Sequence, residues 1–192
     1  MIALILHGNE KNDITGSGIQ GMVCESLAAK GWETETKSVG EMSISPCVGC
    51  FNCWLKTPGI CSRNDDGREV VKSIARCNVL IFLSPVTFGG YSSRLKVAVD
   101  RIIPSISPLF EKVNGEMHHR LRYKPPHSFL SVGWQRELDA ESAEVFTRLA
   151  ARNARNMHAP ASGSVVLHGG QTPEERRAQV EQLVAKLETA HG

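Results

Sequence analysis

Six cysteines stand in the chain, and four of them, Cys47, Cys50, Cys53 and Cys61, fall within a window of fifteen residues. Evenly spread, six would leave roughly half a cysteine in such a window. The stretch reads Cys47-Val48-Gly49-Cys50-Phe51-Asn52-Cys53, then seven residues, then Cys61. Thiolates bind soft metals and exchange electrons. At C-x2-C-x2-C spacing three of them can wrap one corner of a four-iron (4Fe-4S) cubane, with a more distant fourth closing it. Structural zinc more often uses two C-x2-C knuckles well separated in sequence, and three thiols this close are crowded for one tetrahedral ion. A third reading keeps the cysteines reduced and metal-free beside a neighbouring loop. The chain opens Met-Ile-Ala-Leu-Ile-Leu-His-Gly with no basic stretch, unlike a secretory signal, so a cytoplasmic location is expected. There a cysteine group reads as metal or redox chemistry before it reads as disulfides.

Three loops add polar and aromatic groups. The first, residues 7–18, reads His7-Gly8-Asn9-Glu10-Lys11-Asn12-Asp13-Ile14-Thr15-Gly16-Ser17-Gly18 and lies between an apolar run and a helical segment. Backbone amides and the helix dipole converge there, which makes an anion site best matched by a phosphate. Thr15 and Ser17 offer hydroxyls, and Lys11 or Asn12 could close the side. The plainer reading is an N-cap with a glycine turn. Residues 16–21 also match G-x-G-x-x-G, but several polar residues separate them from the strand and no ribose-binding acid ends the next one, so the match is weak. The second loop, Ser84-Pro85-Val86-Thr87-Phe88-Gly89-Gly90-Tyr91, has a stiffening proline, glycines that admit close backbone approach, and two aromatic rings. A planar heterocycle with polar edges, such as a flavin, suits it, as would a plain strand–helix turn. The third, starting Gly133-Trp134-Gln135-Arg136-Glu137, could wall the same ligand. No side chain is assigned a nucleophilic or proton-transfer role. Asp65-Asp66 invites an acid/base reading, but Asp66 with Glu69 reads more simply as a helix cap.

These loops need a scaffold that brings them to one edge. With 192 residues, 41 % of them hydrophobic and 22 % charged, the chain has ordinary globular composition and the size of a single domain, 1–192. A formal net charge of +2 argues against a nucleic-acid or anionic-membrane partner. No apolar stretch approaches the ~20 residues of a membrane span. Apolar runs at 2–6, 79–83, 128–132 and 164–167, with a weaker alternation at 32–39, predict five strands. Periodic segments at 17–30, 66–76, 95–102, 140–157 and from Thr172-Pro173 onward predict five helices between and after them. The alternation implies an α/β fold, a five-stranded parallel sheet with helices on both faces, whose ligands sit beyond the carboxyl ends of its strands. Residues 40–65 form the cysteine loop. Residues 104–126 show no period and read as an insertion, whose bases around His118-His119 could meet the phosphate of NADPH or a second subunit.

Ser84-Pro85-Val86-Thr87-Phe88-Gly89, followed by Leu95-Lys96 and Asp100-Arg101, resembles a stretch of the flavodoxin-like NADPH-dependent FMN reductases. Residues 46–53, with Gly59-Ile60-Cys61 and Asp65-Asp66, look like the compact cysteine motif of their iron–sulfur flavoprotein branch. The resemblance covers most of residues 1–103 and implies a flavodoxin-like three-layer sandwich. FMN would rest its phosphate on residues 9–17 (Asn9, Lys11, Asn12, Thr15, Gly16, Ser17) and its ring on Pro85, Val86, Thr87, Phe88 and Gly89, with Gly133 and Trp134 at the side. Cys47, Cys50, Cys53 and Cys61 would hold a 4Fe-4S cluster near a subunit interface of a homodimer or homotetramer. The activity implied is an oxidoreductase passing electrons from NAD(P)H or a small carrier through FMN. The alternative is a redox- or metal-responsive binding protein of the same fold. One departure stands out: the family's phosphate-loop arginine is absent, and Glu10 and Asp13 bring negative charge instead.

Overall fold

The computed structural model describes residues 1–9, 12–123 and 125–188. Five strands, β1 (Ile2–His7), β2 (Glu33–Ser38), β3 (Val79–Pro85), β6 (Ser128–Gln135) and β7 (Ser162–His168), form one sheet in the order β2-β1-β3-β6-β7. All four pairings are parallel. β1 and β3 are apolar on successive residues because both faces are covered. Ala3, Ile5, Val79, Ile81 and Leu83 pack under helices α1 (Ile14–Ala28) and α6 (Pro173–Ala185). Leu4, Leu6, Leu80 and Phe82 point the other way, under α3 (Gly67–Ile74), α4 (Ser93–Asp100) and α5 (Ala140–Asn156). Phe82 is completely buried edge-on to Phe129 at 4.9 Å and Tyr91 at 5.4 Å. Each such ring contributes about 1.5–3 kcal/mol by burial alone.

The five predicted strands and the sandwich are present, and the differences are local. Helix α1 starts at Ile14 rather than near residue 17, because Asp13 caps it by accepting from Gly16 N at 2.9 Å. Asp66 precedes α3 but makes no side-chain cap there; its carboxylate accepts from Ser43 N at 2.7 Å instead. The last helix has the full capping box of Thr172 and Glu175. A short helix, α2 (Asn52–Leu55), lies inside the cysteine loop.

Residues 104–126 are more ordered than their lack of period suggested. A 3-10 turn, Ile103–Ser105, leads into an antiparallel hairpin of β4 (Ile106–Val113) and β5 (Glu116–Leu121), a sheet of its own. Asn114 and Gly115 both adopt positive φ, 49° and 87°, the geometry an Asn-Gly hairpin turn requires. That dipeptide was the available signal. The bulge between Ile106 and Phe110 blurs the alternation around it.

Candidate functional site

Three strand exits converge at the carboxyl edge of the sheet. The exit of β1 is sewn to its neighbours: Gly8 N donates to Leu83 O, and Ser92 Oγ donates to Gly8 O at 2.8 Å. A Cβ at Gly8 would lie 2.4 Å from Ser92 Oγ, so glycine permits this approach. The exit of β3 turns tightly, with Thr87 and Gly90 exchanging both backbone bonds. Val86 N donates to Trp134 O, joining that turn to the end of β6.

Beyond these ends opens a cavity of about 650 Å³. Ile19, Pro85, Val86, Trp134 and Leu167 give it apolar wall; Thr15, Gln135, Arg136, His168 and Arg176 bring polar groups. Its size and mixed lining fall within the usual range for small-molecule sites. Two helix N-termini border it, and each is capped by a carboxylate of this chain. Asp13 caps α1, and Asp139 caps α5 by accepting from Ser142 N and Ser142 Oγ. The Ser142 bonds hold the Asp139 carboxyl below its ordinary range.

Of the residues expected at a flavin, Thr15, Pro85, Val86, Phe88 and Trp134 line this cavity. Phe88 is fully exposed with a left-handed φ of 49°. Asn9, Asn12, Gly16, Ser17, Thr87, Gly89 and Gly133 are not among the lining residues. Asn9 is buried against Gly16, where a Cβ would come 2.3 Å from its Nδ2, and its Oδ1 has no partner. Ser17 Oγ donates to Asp13 O. Gly133 is a packing glycine: a Cβ there would lie 2.8 Å from Val86 and 3.0 Å from Phe146. Tyr91, expected as a ligand wall, is buried between Phe82 and Phe146, its hydroxyl accepting from Asn153. Lys11 lies outside the described residues. Sequence reasoning missed Asp139, Ser142, His168 and Arg176. The carboxyl ends of β6 and β7, with the first turns of the helices that follow them, are the signal that could have found them.

The four clustered cysteines line one small pocket together with Arg101 and Ile103. Gly49, Phe51 and Gly59 take left-handed φ of 64°, 52° and 86°, which curl the loop. Cys53 sits on α2 and is buried, Cys61 is half-buried, and Cys47 and Cys50 are exposed. Burial pushes the Cys53 thiol up, and the neighbouring Cys61, Cys47 and Cys50 add to it. The Ser62 hydroxyl draws the Cys50 thiol down. Among the described residues, no three His, Cys, Asp or Glu side chains converge as one metal ion requires. A cubane gives each thiolate its own iron, so its ligands stand farther apart than around a single ion.

Arg101, at the end of α4, closes the base of this loop. It is 2 % exposed. Its fork meets Asp65 at 2.7 and 2.9 Å, and Nη1 also donates to Ser45 O. Asp65 in turn accepts from Ser45 N and Gly67 N, both at 3.1 Å. Residues at both ends of the cysteine loop are thereby clasped by one ion pair. The guanidinium bond and these amides hold the Asp65 carboxyl far below the usual carboxylate range. Neither Asp65 nor Asp66 is left free for acid/base work.

The parallel order β2-β1-β3-β6-β7, with a ligand-sized cavity at the carboxyl edge, defines a flavodoxin-like α/β protein. Residues 1–172 match the family model of the NADPH-dependent FMN reductases, and the chain belongs to that family. It is 39 % identical over 79 residues to an iron–sulfur flavoprotein of Methanocaldococcus jannaschii, covering 41 % of this chain and 40 % of that protein. An iron–sulfur flavoprotein of Methanosarcina thermophila is 28 % identical over 98 residues, 47 % of this chain and 50 % of that one. The chain thus spans about half the length, or less, of these curated relatives. Among solved structures, an FMN-dependent NADH-azoreductase from Bacillus anthracis in complex with FMN superposes with a TM-score of 0.69 at 14 % identity, covering 97 % of this chain and 98 % of that one. An NAD(P)H:quinone oxidoreductase from Methanothermobacter marburgensis gives 0.68 at 14 % identity with the same coverage. At that identity the likeness is one of fold.

Proposed function

We propose that the chain is an FMN-dependent oxidoreductase that takes electrons from NAD(P)H or a small electron carrier. The observation that carries this reading is the cavity bounded by the α1 N-terminus, the Pro85-Val86 turn and Trp134. The residues suit a flavin nucleotide. The Thr15 hydroxyl, a donor, lies at the first turn of α1, where helix amides attract a phosphate. Pro85, Val86 and Trp134 offer apolar surface to a ring. Val86 N and Thr87 N are committed to Trp134 O and Gly90 O, so neither is available to a ligand's polar edge. FMN held there supplies both two-electron and one-electron chemistry. The protein's part is to fix the ring against Trp134, shield it from water with Val86 and Leu167, and admit the donor from the side of Arg136 and Arg176.

Cys47, Cys50, Cys53 and Cys61 are proposed as ligands of a 4Fe-4S cluster. Their shared pocket and the buried Arg101 Nε, which makes no hydrogen bond of ordinary geometry, support a sulfur-rich anionic occupant. The free thiols fit a reducing compartment such as the cytoplasm. Exposed Val48, Phe51 and Ile60 beside them fit coverage by another subunit of a homodimer or homotetramer.

A second reading rests on Asp13. Its carboxylate caps α1 where a phosphate would sit, which fits a protein that senses redox state or metal without turnover. Anaerobically purified protein decides. Flavin bands and steady NADPH oxidation with an artificial acceptor are expected. Flavin-loaded protein that passes electrons from neither NAD(P)H nor a reduced small carrier to any acceptor would overturn the enzyme reading in favour of the second.

A further inference from the structure

We infer that Arg101 donates a hydrogen bond from Nε to a sulfur of the cluster seated on Cys47, Cys50, Cys53 and Cys61, and thereby sets that cluster's reduction potential. The inference rests on the cluster reading above. Arg101 lines the same pocket as the four cysteines and is 2 % exposed, so water does not reach it. Its Nη1 and Nη2 atoms are committed to Asp65 and Ser45, which fixes the plane of the guanidinium. The nitrogen left over is Nε, buried and making no hydrogen bond of ordinary geometry, while the Cys61 sulfur is an acceptor, besides Asp65 and Ser45, that interacts with the guanidinium. A buried N–H on a charged group is rarely left unsatisfied, and an orphan of this kind needs an explanation. A sulfur acceptor in the cysteine pocket provides one.

The electronic consequence follows from charge. One-electron reduction leaves the cluster one unit more negative, and no proton is required. A fixed N–H donor stabilises the more negative state more, as hydrogen bonds to sulfur are known to do in tuning such centres. Asp65 neutralises much of the guanidinium's long-range charge, so the directional Nε–H bond carries the effect rather than the net charge. Arg101→Lys keeps a cation and removes that bond.

The test is a potentiometric titration of the anaerobically purified holoprotein, dithionite supplying the electron through mediators, with the reduced cluster read by electron paramagnetic resonance. Arg101→Lys is expected to disfavour reduction about tenfold, a shift of ~59 mV to lower potential. Because this variant also weakens the clasp, a second measurement leaves Arg101 in place. Protein grown on ¹⁵N-arginine, carrying Arg63→Gln to remove the other arginine lining the pocket, should show ¹⁵N coupling to the reduced cluster in pulsed spectra. An intact cluster with no ¹⁵N coupling and an unchanged potential in Arg101→Lys overturns this inference alone. Protein that takes up neither iron nor sulfide overturns the cluster reading and the inference together, and elemental analysis tells the two failures apart.

Discussion

Replacing Asp65 by asparagine isolates the clasp at the base of the cysteine loop. The two side chains are 1 % and 12 % exposed, with the closest contact at 2.7 Å. An exposed ion pair would be worth about 0–1 kcal/mol, and its loss would scarcely register. Here the substitution strands a guanidinium away from water, a situation that costs about 3–5 kcal/mol. The asparagine keeps the volume and can still accept from Ser45 N or Gly67 N, which places the expected loss near the low end, about 3 kcal/mol. For a chain of this length that is a fall in Tm of roughly 6–12 °C. Urea unfolding of wild type, Asp65→Asn, Arg101→Met and the double variant forms the assay. The double variant removes both charges and should lose much less than the sum of the singles. The pH dependence has a definite sign. The carboxyl is depressed in the folded state, so its stabilisation is complete above its ordinary value of 3.8 and vanishes only as pH falls through the lower folded value. The gap between wild type and Asp65→Asn is therefore constant from neutral pH to about pH 5 and closes under strong acid. A loss below ~1 kcal/mol, or additivity in the cycle, would refute the idea that this pair is a buried clasp.

Asp13→Asn keeps a capping side chain but removes a negative charge beside the phosphate position, so FMN should bind about 2–5-fold more tightly. Riboflavin, which has no phosphate, is the control by fluorescence titration, and equal tightening of both ligands contradicts the phosphate assignment. Gly133→Ala pushes a methyl group into Val86 and Phe146 and should cost about 1–3 kcal/mol. An unchanged Tm would show that the Pro85-Val86 turn yields freely. Burial lowers the His127 imidazole from its ordinary 6.5 to about 4. The unfolded chain thus binds the extra proton first, and stability should decline as pH drops from about 6.5 to about 4. His127→Gln should flatten that part of the stability profile; an identical profile in the variant would place the effect elsewhere.

Much of the scaffold could be read from apolar runs alone. Residues 79–83 are apolar without interruption because both faces of β3 are covered, and no amphipathic alternative competes. Helix starts were harder. Asp13 and Asp66 are chemically alike, yet one caps its helix and the other reaches back to Ser43, a choice made by tertiary packing. The Asn114-Gly115 turn is legible in the sequence, but the strands around it lack clean alternation and do not announce a hairpin. At the site, the sequence spacing that suggested a shared cysteine ligand set does coincide with one pocket. Arg101 and Asp65, 36 residues apart, meet only through the folded sheet, and no local pattern links them. Gly133 carries a second constraint that its place at a strand end does not reveal: a Cβ there would meet Val86 and Phe146.

The hairpin of β4 and β5 shares no ladder with the main sheet. Its ties are of another kind. Glu116 pairs with Arg152 and Arg155 through exposed ion pairs, while His119 lies 5.0 Å from the Trp54 ring of the cysteine loop. Arg122 anchors its far end to Pro104 O. Exposed charge pairs weaken with ionic strength, whereas ladder bonds in a covered sheet do not. The molecule is therefore built as two tiers of protection against hydrogen exchange. The amides of β1, β3 and β6 would open only with the whole domain. Those of the hairpin would exchange by a local opening that salt makes easier. Through Trp54 that opening would reach the cysteine loop before it reached the sheet, so the separately laddered hairpin and the part proposed to hold iron would loosen together.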